Sequence, residues 1–245
     1  MNTWTIFKRE LTSYFTQPTA YAIVVIFGFL STLLAFTLGN FWAIGDASLH
    51  SSFFPYHPLL LMILVPAVSM RQWSDEHATG TIELLGTWPI KIRSAILGKY
   101  FASATVWLIA LALTFPMVVA VDWLGEPDMW TILSGYLGSF LVCCTFLAIT
   151  SLVSAFTRDQ VVALIVSVAI CCVLTIVGLE QVINEVRRTG PSAALAVDTM
   201  TQIGVFSHLR EASFGLIRMT SLIYFLGLIA VCLVGTNMVL KSQRA

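Results

Sequence analysis

Six stretches of this chain run for at least 18 residues without Asp, Glu, Lys or Arg, and nothing else about it restricts the fold so tightly. They are residues 20–42, 53–70, 100–121, 130–156, 161–179 and 219–240. A helix that crosses a bilayer needs roughly 20 mostly apolar residues, because it must pair every backbone polar group internally where no water can reach. Each stretch therefore reads as a membrane span. The second is the shortest: its 18 residues rise only about 27 Å, and Pro66 interrupts it. Pro66 and Pro116 are both expected to kink their helices.

Composition points the same way, since 58% of residues are hydrophobic, 11% are charged and the mean hydropathy is +0.87, against about 25% charged in soluble chains. The balance of 13 Lys+Arg with 13 Asp+Glu and five cysteines in apolar runs excludes a disordered chain, a nucleic-acid binder and a disulfide scaffold. The first apolar run, at 23 residues, is too long for a cleaved signal peptide.

Orientation follows from Lys and Arg in the short connections. Residues 43–52 and 122–129 carry Asp46, Asp122, Glu126 and Asp128 and no Lys or Arg, so they are expected outside. Lys8, Arg9, Arg71, Lys91, Arg93, Lys99, Arg158, Lys241 and Arg244 mark the cytoplasmic side, which places both termini there. The neutral total then divides into +4 inside and −4 outside.

Two segments outside the spans read as amphipathic. In residues 2–17, Trp4, Phe7, Leu11 and Phe15 recur at helical spacing and Pro18 ends the run, which predicts a helix lying in the cytoplasmic interface; a frayed tail is the plainer alternative. In residues 180–218, charge recurs too often for a seventh span. Met200, Ile203, Phe206 and Leu209 repeat at helical spacing and Gly190-Pro191 breaks the segment, which predicts a pair of outer amphipathic helices. A simple extracellular loop fits the same composition.

Candidates for chemistry are few. Gly98-Lys99 is followed by Tyr100 and preceded by Arg93 where a phosphate-binding loop needs its first Gly, so the chain does not bind ATP in that way. Ser134/Gly138 and Gly135/Ser139 read as small-xxx-small faces for close helix packing. Cys143-Cys144 and Cys171-Cys172 cannot each aim two sulfurs at one ion, because consecutive helical residues point about 100° apart, and His50, His57, His77 and His208 are scattered over both sides. No metal site is expected. The span interiors are read as free of ionisable groups, which argues against an ion-coupled carrier or channel and against a membrane-embedded enzyme.

The informative connection is residues 71–99. Thr81 can cap a short helix whose dipole Glu83 complements, and Gly86 with Pro89 stops it. Ile82, Leu84 and Leu85 then project where no local core exists to bury them, as a docking surface would; a connector packing only on its own helices would have the same composition. The pattern of Glu76, Gly80-Thr81-Ile82-Glu83-Leu84-Leu85, Thr87-x-Pro89 and Gly98-Lys99 resembles the loop between the second and third spans of ABC-2 type transporter permeases. It is most similar to the branch containing gliding-motility permeases and the permease of nitrous-oxide-reductase maturation. Lys91-Ile92-Arg93 is a looser match.

The resemblance covers the whole chain as one permease domain, 1–245, an all-α integral membrane protein with six transmembrane helices, an N-terminal interfacial helix and an outer helical segment. It implies a multi-pass subunit of a prokaryotic cytoplasmic (inner) membrane that holds no cofactor and catalyses nothing itself. ATP would be bound by a separate cytoplasmic ABC ATPase subunit, docked on a coupling helix formed by Gly80, Thr81, Ile82, Glu83, Leu84, Leu85 and Pro89. Ile82, Leu84 and Leu85 would be the docking face, with Glu76 and Glu83 pairing to basic residues. A second permease chain, identical or different, would complete the pathway, and a partner with a periplasmic domain would narrow the cargo. The function implied is export or force transmission across the membrane; the alternative is a non-transporting anchor that holds an ATPase complex at the bilayer.

Overall fold

In a computed structural model, residues 3–16, 18–39, 49–80, 92–125, 127–188 and 194–242 are described, and the regular structure among them is entirely helical. The chain opens with α1 (Thr3–Thr16) and α2 (Pro18–Thr37). A short α3 (Leu49–Ser52) and a 3-10 turn (Phe54–Tyr56) lead into α4 (His57–Ser69) and α5 (Arg71–Ala78). Next come α6 (Ile92–Ala112), α7 (Pro116–Leu124), α8 (Met129–Phe156) and α9 (Gln160–Val177). Three short helices, α10 (Glu180–Arg188), α11 (Ala194–Ile203) and α12 (Val205–Ser213), precede α13 (Met219–Ser242). Among the described residues six helical stretches are long and apolar enough to cross a membrane: 20–37, 49–78, 92–123, 129–156, 160–177 and 219–242.

The spans extend beyond the uncharged runs that announce them. Residues 71–78 continue the second span as α5 and residues 92–99 form the first two turns of α6, so the connection expected over 71–99 narrows to residues 79–91. A helix protruding from lipid loses nothing by carrying charge, and a search that stops at the first Arg or Lys stops early. The two prolines behave differently. Pro116 begins α7 after a break at residues 113–115, where Phe115 N–H bonds to Ala112 O at 3.1 Å and Thr114 Oγ1 meets Tyr136 Oη at 3.0 Å. Pro66 stays inside α4, and the helix is interrupted only at Met70, whose N–H still reaches Pro66 O at 2.8 Å.

Among the described residues the last connection holds three helices where two were expected. Besides the expected break near Gly190-Pro191, which lies outside the described residues, the segment is divided again at Gly204. There the backbone passes so close to Gly178 that a Cβ on Gly204 would sit 2.3 Å from Gly178 Cα.

Helix α8 is the axis of the assembly and touches α4, α5, α6, α9, α12 and α13. Asp128 starts it, accepting from Trp130 N–H at 3.0 Å and from the Thr131 hydroxyl at 2.7 Å; Asp159 caps α9 in the same way at Val161 N–H, 2.8 Å. These hydroxyl and amide donors hold the Asp128 carboxyl below the usual carboxylate range. Around α8, one apolar core joins Phe27, Leu61, Val65, Trp107, Val142, Phe146, Leu147, Leu209 and Phe225. Helices α2, α9 and α13 expose Val25, Phe29, Ile165, Val173, Ile223 and Val231, the apolar exterior of a protein solvated by lipid.

Candidate coupling site

The connection of residues 79–91 leaves α5 and returns through α6, so the site is built from the ends of these two helices. Gly80 terminates α5 at φ 70, the left-handed region where glycine carries no Cβ penalty. Thr79 N–H closes the last turn on Asp75 O at 3.0 Å. Thr81, Ile82, Glu83, Leu84, Leu85 and Pro89, the residues expected to form the docking helix, lie outside the described residues.

On α5, residues four apart stand one above the other, and its contacts reach two different spans. Toward α6, Lys99 Nζ donates to the backbone carbonyl of Gln72 at 2.7 Å and to Glu76 Oε1 at 2.6 Å, and it lies 4.7 Å from the centre of the Trp73 ring. Trp73 and His77 face α8: Trp73 Nε1 donates to Ser151 Oγ at 3.1 Å, and His77 Nε2 lies 3.1 Å from Ala155 O. The partners on α8 are themselves four apart and in the same order, so the second and fourth spans run in the same direction, as they must in a meander. Asp75 accepts from Gln160 Nε2, which adds α9. Helix α5 is thereby bonded to the third, fourth and fifth spans at once.

Lys99 is 7% exposed and Trp73 fully buried. A buried ion pair adds little net stability, because desolvating both ions offsets their attraction, but removing one partner costs several kcal/mol. The Lys99–Glu76 pair therefore fixes geometry: it makes the two arms of the connection one unit.

Helix α1 joins the same end of the molecule. Its buried residue is Ile6, 3% exposed, while Trp4 is 71% exposed. The expected stripe of Trp4, Phe7, Leu11 and Phe15 is thus not the face that meets the protein; Ile6 seats against α6 at Gly98, where a Cβ would lie 2.8 Å from Ile6 Cγ2. The Tyr14 hydroxyl lies 2.9 Å from Ser103 Oγ, and burial pushes its phenol up from the ordinary tyrosine value, keeping the proton available for that bond.

At the opposite end of α8, Ser134, Gly135, Gly138 and Ser139 are all buried. A Cβ on Gly135 would lie 2.4 Å from the Phe54 ring, and one on Gly138 would lie 2.8 Å from Leu209 Cδ1 and Ala212 Cβ. The Ser134 hydroxyl donates to Ala212 O at 2.7 Å, and Ser139 Oγ lies 2.8 Å from His57 Nδ1. His57 corrects the reading that the span interiors hold no ionisable side chain: it lies within the second span, fully buried among the rings of Phe27, Phe53 and Phe54.

Among the described residues no group of three or more His, Cys, Asp or Glu could hold a metal ion. Gln72, Trp73, Ser151, Ala155 and Gln160 were not singled out by sequence reasoning, and Lys99 and His77 entered it only as part of the loop pattern and as one of four scattered histidines, without these partners. The one legible signal was the i, i+4 couple of Trp73 and His77, visible only once that stretch is taken as helix rather than loop.

Residues 43–243 match the family described as ABC-2 family transporter protein, and the chain belongs to that family. It is a multi-pass membrane protein of a family whose members are membrane subunits rather than enzymes and normally work with an ABC ATPase. No curated protein matches the chain.

Proposed function

We propose that this chain is a permease subunit whose connection between the second and third spans, residues 79–91, docks on a cytoplasmic ABC ATPase and transmits its ATP-driven motion to the spans, for export or for force transmission across the membrane. The observation that carries the reading is the bonding of α5. A displacement applied at Gly80–Lys91 acts on a helix tied to α6 through Lys99, to α8 through Trp73 and His77, and to α9 through Asp75. Several spans then move with one lever, which is what switching between two packings requires.

In this reading the end carrying α1, α5 and both termini is cytoplasmic, in accord with the distribution of Lys and Arg. Ile82, Leu84 and Leu85 are the docking face, Glu83 pairs with a basic residue of the ATPase, and Glu76 is held on the permease side by Lys99. Two permease chains, each with one ATPase, form the assembly in a prokaryotic inner membrane; ATP binds on the partner, and the permease needs no cofactor. The branch that includes gliding-motility and nitrous-oxide-reductase-maturation permeases is the one its loop resembles. ATP hydrolysis biases the spans only as far as the ATPase binds their two packings differently.

Co-purification with the ATPase tests the docking face. Glu83→Lys or Leu84→Asp is expected to abolish it while membrane insertion stays intact, and unchanged co-purification sinks the proposal. Cargo-stimulated ATPase activity in reconstituted vesicles separates a transporter from a static anchor, which would show none.

A further inference from the structure

At the end of the molecule opposite α5, His208 of α12 ties three helices together. Its Nε2 lies 3.0 Å from Gln202 O on α11, and its Nδ1 lies 3.0 Å from Ser221 Oγ on α13. The ring stacks on Tyr224 of α13 at 4.4 Å between centres, with Phe225 edge-on at 5.8 Å. Ser221 Oγ reaches on to Glu211 Oε2 at 3.4 Å, and Glu211 Oε1 meets Arg218 Nη1 at 2.9 Å. The half-buried imidazole borders a half-open cleft of about 360 Å³, through which water and protons reach it.

With a neutral imidazole these contacts are one proton short. A carbonyl and an ionised carboxylate only accept. Gln202 O therefore needs an N–H at Nε2, Glu211 Oε2 needs the Ser221 hydroxyl proton, and the contact of Nδ1 with Ser221 Oγ needs a proton of its own. A neutral imidazole supplies one N–H and the serine one O–H, so one of the three contacts always sets lone pairs against each other. Protonated His208 carries both N–H groups, and every contact becomes a hydrogen bond: Nε2 donates to Gln202 O, Nδ1 to Ser221 Oγ, and Ser221 Oγ to Glu211 Oε2. The stacked Tyr224 ring also presents its π face to the positive charge.

The other charges nearby leave this chain of bonds intact. On α12, Arg210 pairs with Glu180 of α10. Arg187 of α10 lines the same cleft and has no carboxylate partner among the described residues. Helix α11 lines the cleft with Thr201 rather than with Asp198, and α8 and α9 carry no Asp, Glu, Lys or Arg. His50 of α3 stands against Phe214 in the neighbouring cleft, and the Tyr224 phenol donates to Ile203 O. Glu211, bonded to the same hydroxyl as His208, is the counter-charge for an imidazolium.

We propose that His208, Ser221 and Glu211 form a proton-operated latch, in which uptake of one proton by His208 fastens α12, and with it α11, to the start of the sixth span. The added bond exists only in the folded, protonated state. Stability is therefore gained as the pH falls through the ordinary histidine value, about 6.5, and lost as the pH rises through it. In the orientation proposed above this end faces outward, so acidity of the outer compartment holds α11 and α12 against the sixth span and neutrality frees them to move. The latch itself lies within one chain and does not depend on an ATPase.

The test is thermal unfolding of the purified full-length chain in one detergent at about pH 8 and about pH 5.5, on either side of the ordinary histidine value. The other histidines titrate in parent and variants alike, so the latch is read as the difference between their acid shifts. The parent is expected to gain about 2–4 °C more on acidification than His208→Gln, the shift that one hydrogen bond gives a chain of this size. Ser221→Ala breaks the bridge without touching the imidazole and is expected to lose the same gain. Glu211→Gln supplies the missing proton from its own amide, with Nε2 donating to Ser221 Oγ while Oε1 still accepts from Arg218. It is expected to melt above the parent at about pH 8 and to lack the parent's acid gain. An acid gain equal to the parent's in any of the three variants overturns the proposal. Hydrogen exchange locates the effect: after correction for intrinsic rates, the amides of residues 205–213 are expected to be about tenfold better protected in acid in the parent. Unchanged protection there overturns the latch.

Discussion

The fourth and sixth spans have nearly the same mean hydropathy, 2.1 and 2.2, yet 78% of the fourth span's most apolar window is buried inside the protein and 17% of the sixth's. The difference lies in residue size and hydroxyls, not in apolarity. Helix α8 buries Ser134, Gly135, Gly138, Ser139, Cys143, Ala148, Ser151 and Ala155, short side chains that let neighbouring helices approach on all sides. Helix α13 buries one stripe, Ser221, Phe225, Cys232, Thr236 and Leu240, and turns Ile223, Leu226, Val231, Val234 and Met238 outward. In lipid, where oily side chains gain little by touching one another, small residues and hydroxyls select the helix that becomes the axis. The axis is also held differently at its two ends. The end beside α5 is fastened by directional bonds from Trp73 and His77, and the opposite end combines bonds at Ser134 and Ser139 with the close approach of Phe54, Leu209 and Ala212 to its glycines.

Four substitutions and one titration would break or sharpen this contrast, with thermal unfolding in a fixed detergent as the measure. The largest loss is expected for Lys99→Met, about 3–5 kcal/mol, because it strips a buried cation from Glu76 and from the Gln72 carbonyl. Next is Gly138→Leu on the axis, about 1–3 kcal/mol from overpacking against Leu209 and Ala212. Its counterpart on the outer ring, Gly227→Leu, has nothing within 4 Å of an added Cβ and should stay within about 0.5 kcal/mol of the parent; equal losses at the two glycines would dissolve the distinction between axis and ring. Ser151→Ala removes the acceptor of the buried Trp73 Nε1 and is expected to cost about 1–2 kcal/mol.

The smallest effect concerns the start of α8. The Asp128 carboxyl is held low by Thr131 and Trp130. Its contribution is therefore present above the ordinary carboxylate range and fades as the pH falls through its own depressed value. The unfolding temperature should decline slightly over that acid window in the parent. Asp128→Asn, which still caps, should lack that component, and an unchanged acid profile would show that the cap carries no charge dependence.

Much of the architecture was legible before any fold was known. Six apolar helices long enough to span, the N-terminal helix and the helical character of 180–218 follow from run lengths and apolar spacing, and the family match over residues 43–243 agrees with a resemblance to ABC-2 permeases. Several particulars were not. The face of α1 that meets the protein is set by Ile6 against Gly98, not by the more conspicuous Trp4 and Phe15; the largest side chains of an interfacial helix gain as much from lipid as from a neighbour. His57 was counted as one of four scattered histidines, although burial among three phenylalanines places it inside a span. Residues 71–78 read as loop because Arg71 ends the uncharged run, yet Asp75, Glu76 and His77 within them have partners on other spans.

By itself the sequence determined that the chain lives in a membrane, how many times it can cross, and where its charges fall, because transfer into lipid acts on each residue almost independently of the others. The tertiary structure alone decided which span is the axis, and that Lys99, 23 residues from Glu76 in the chain, closes the two arms of the connection between the second and third spans into one unit. Those outcomes depend on which surfaces meet. In a chain whose spans are nearly equal in hydropathy, that is settled by shape and by a few directional bonds.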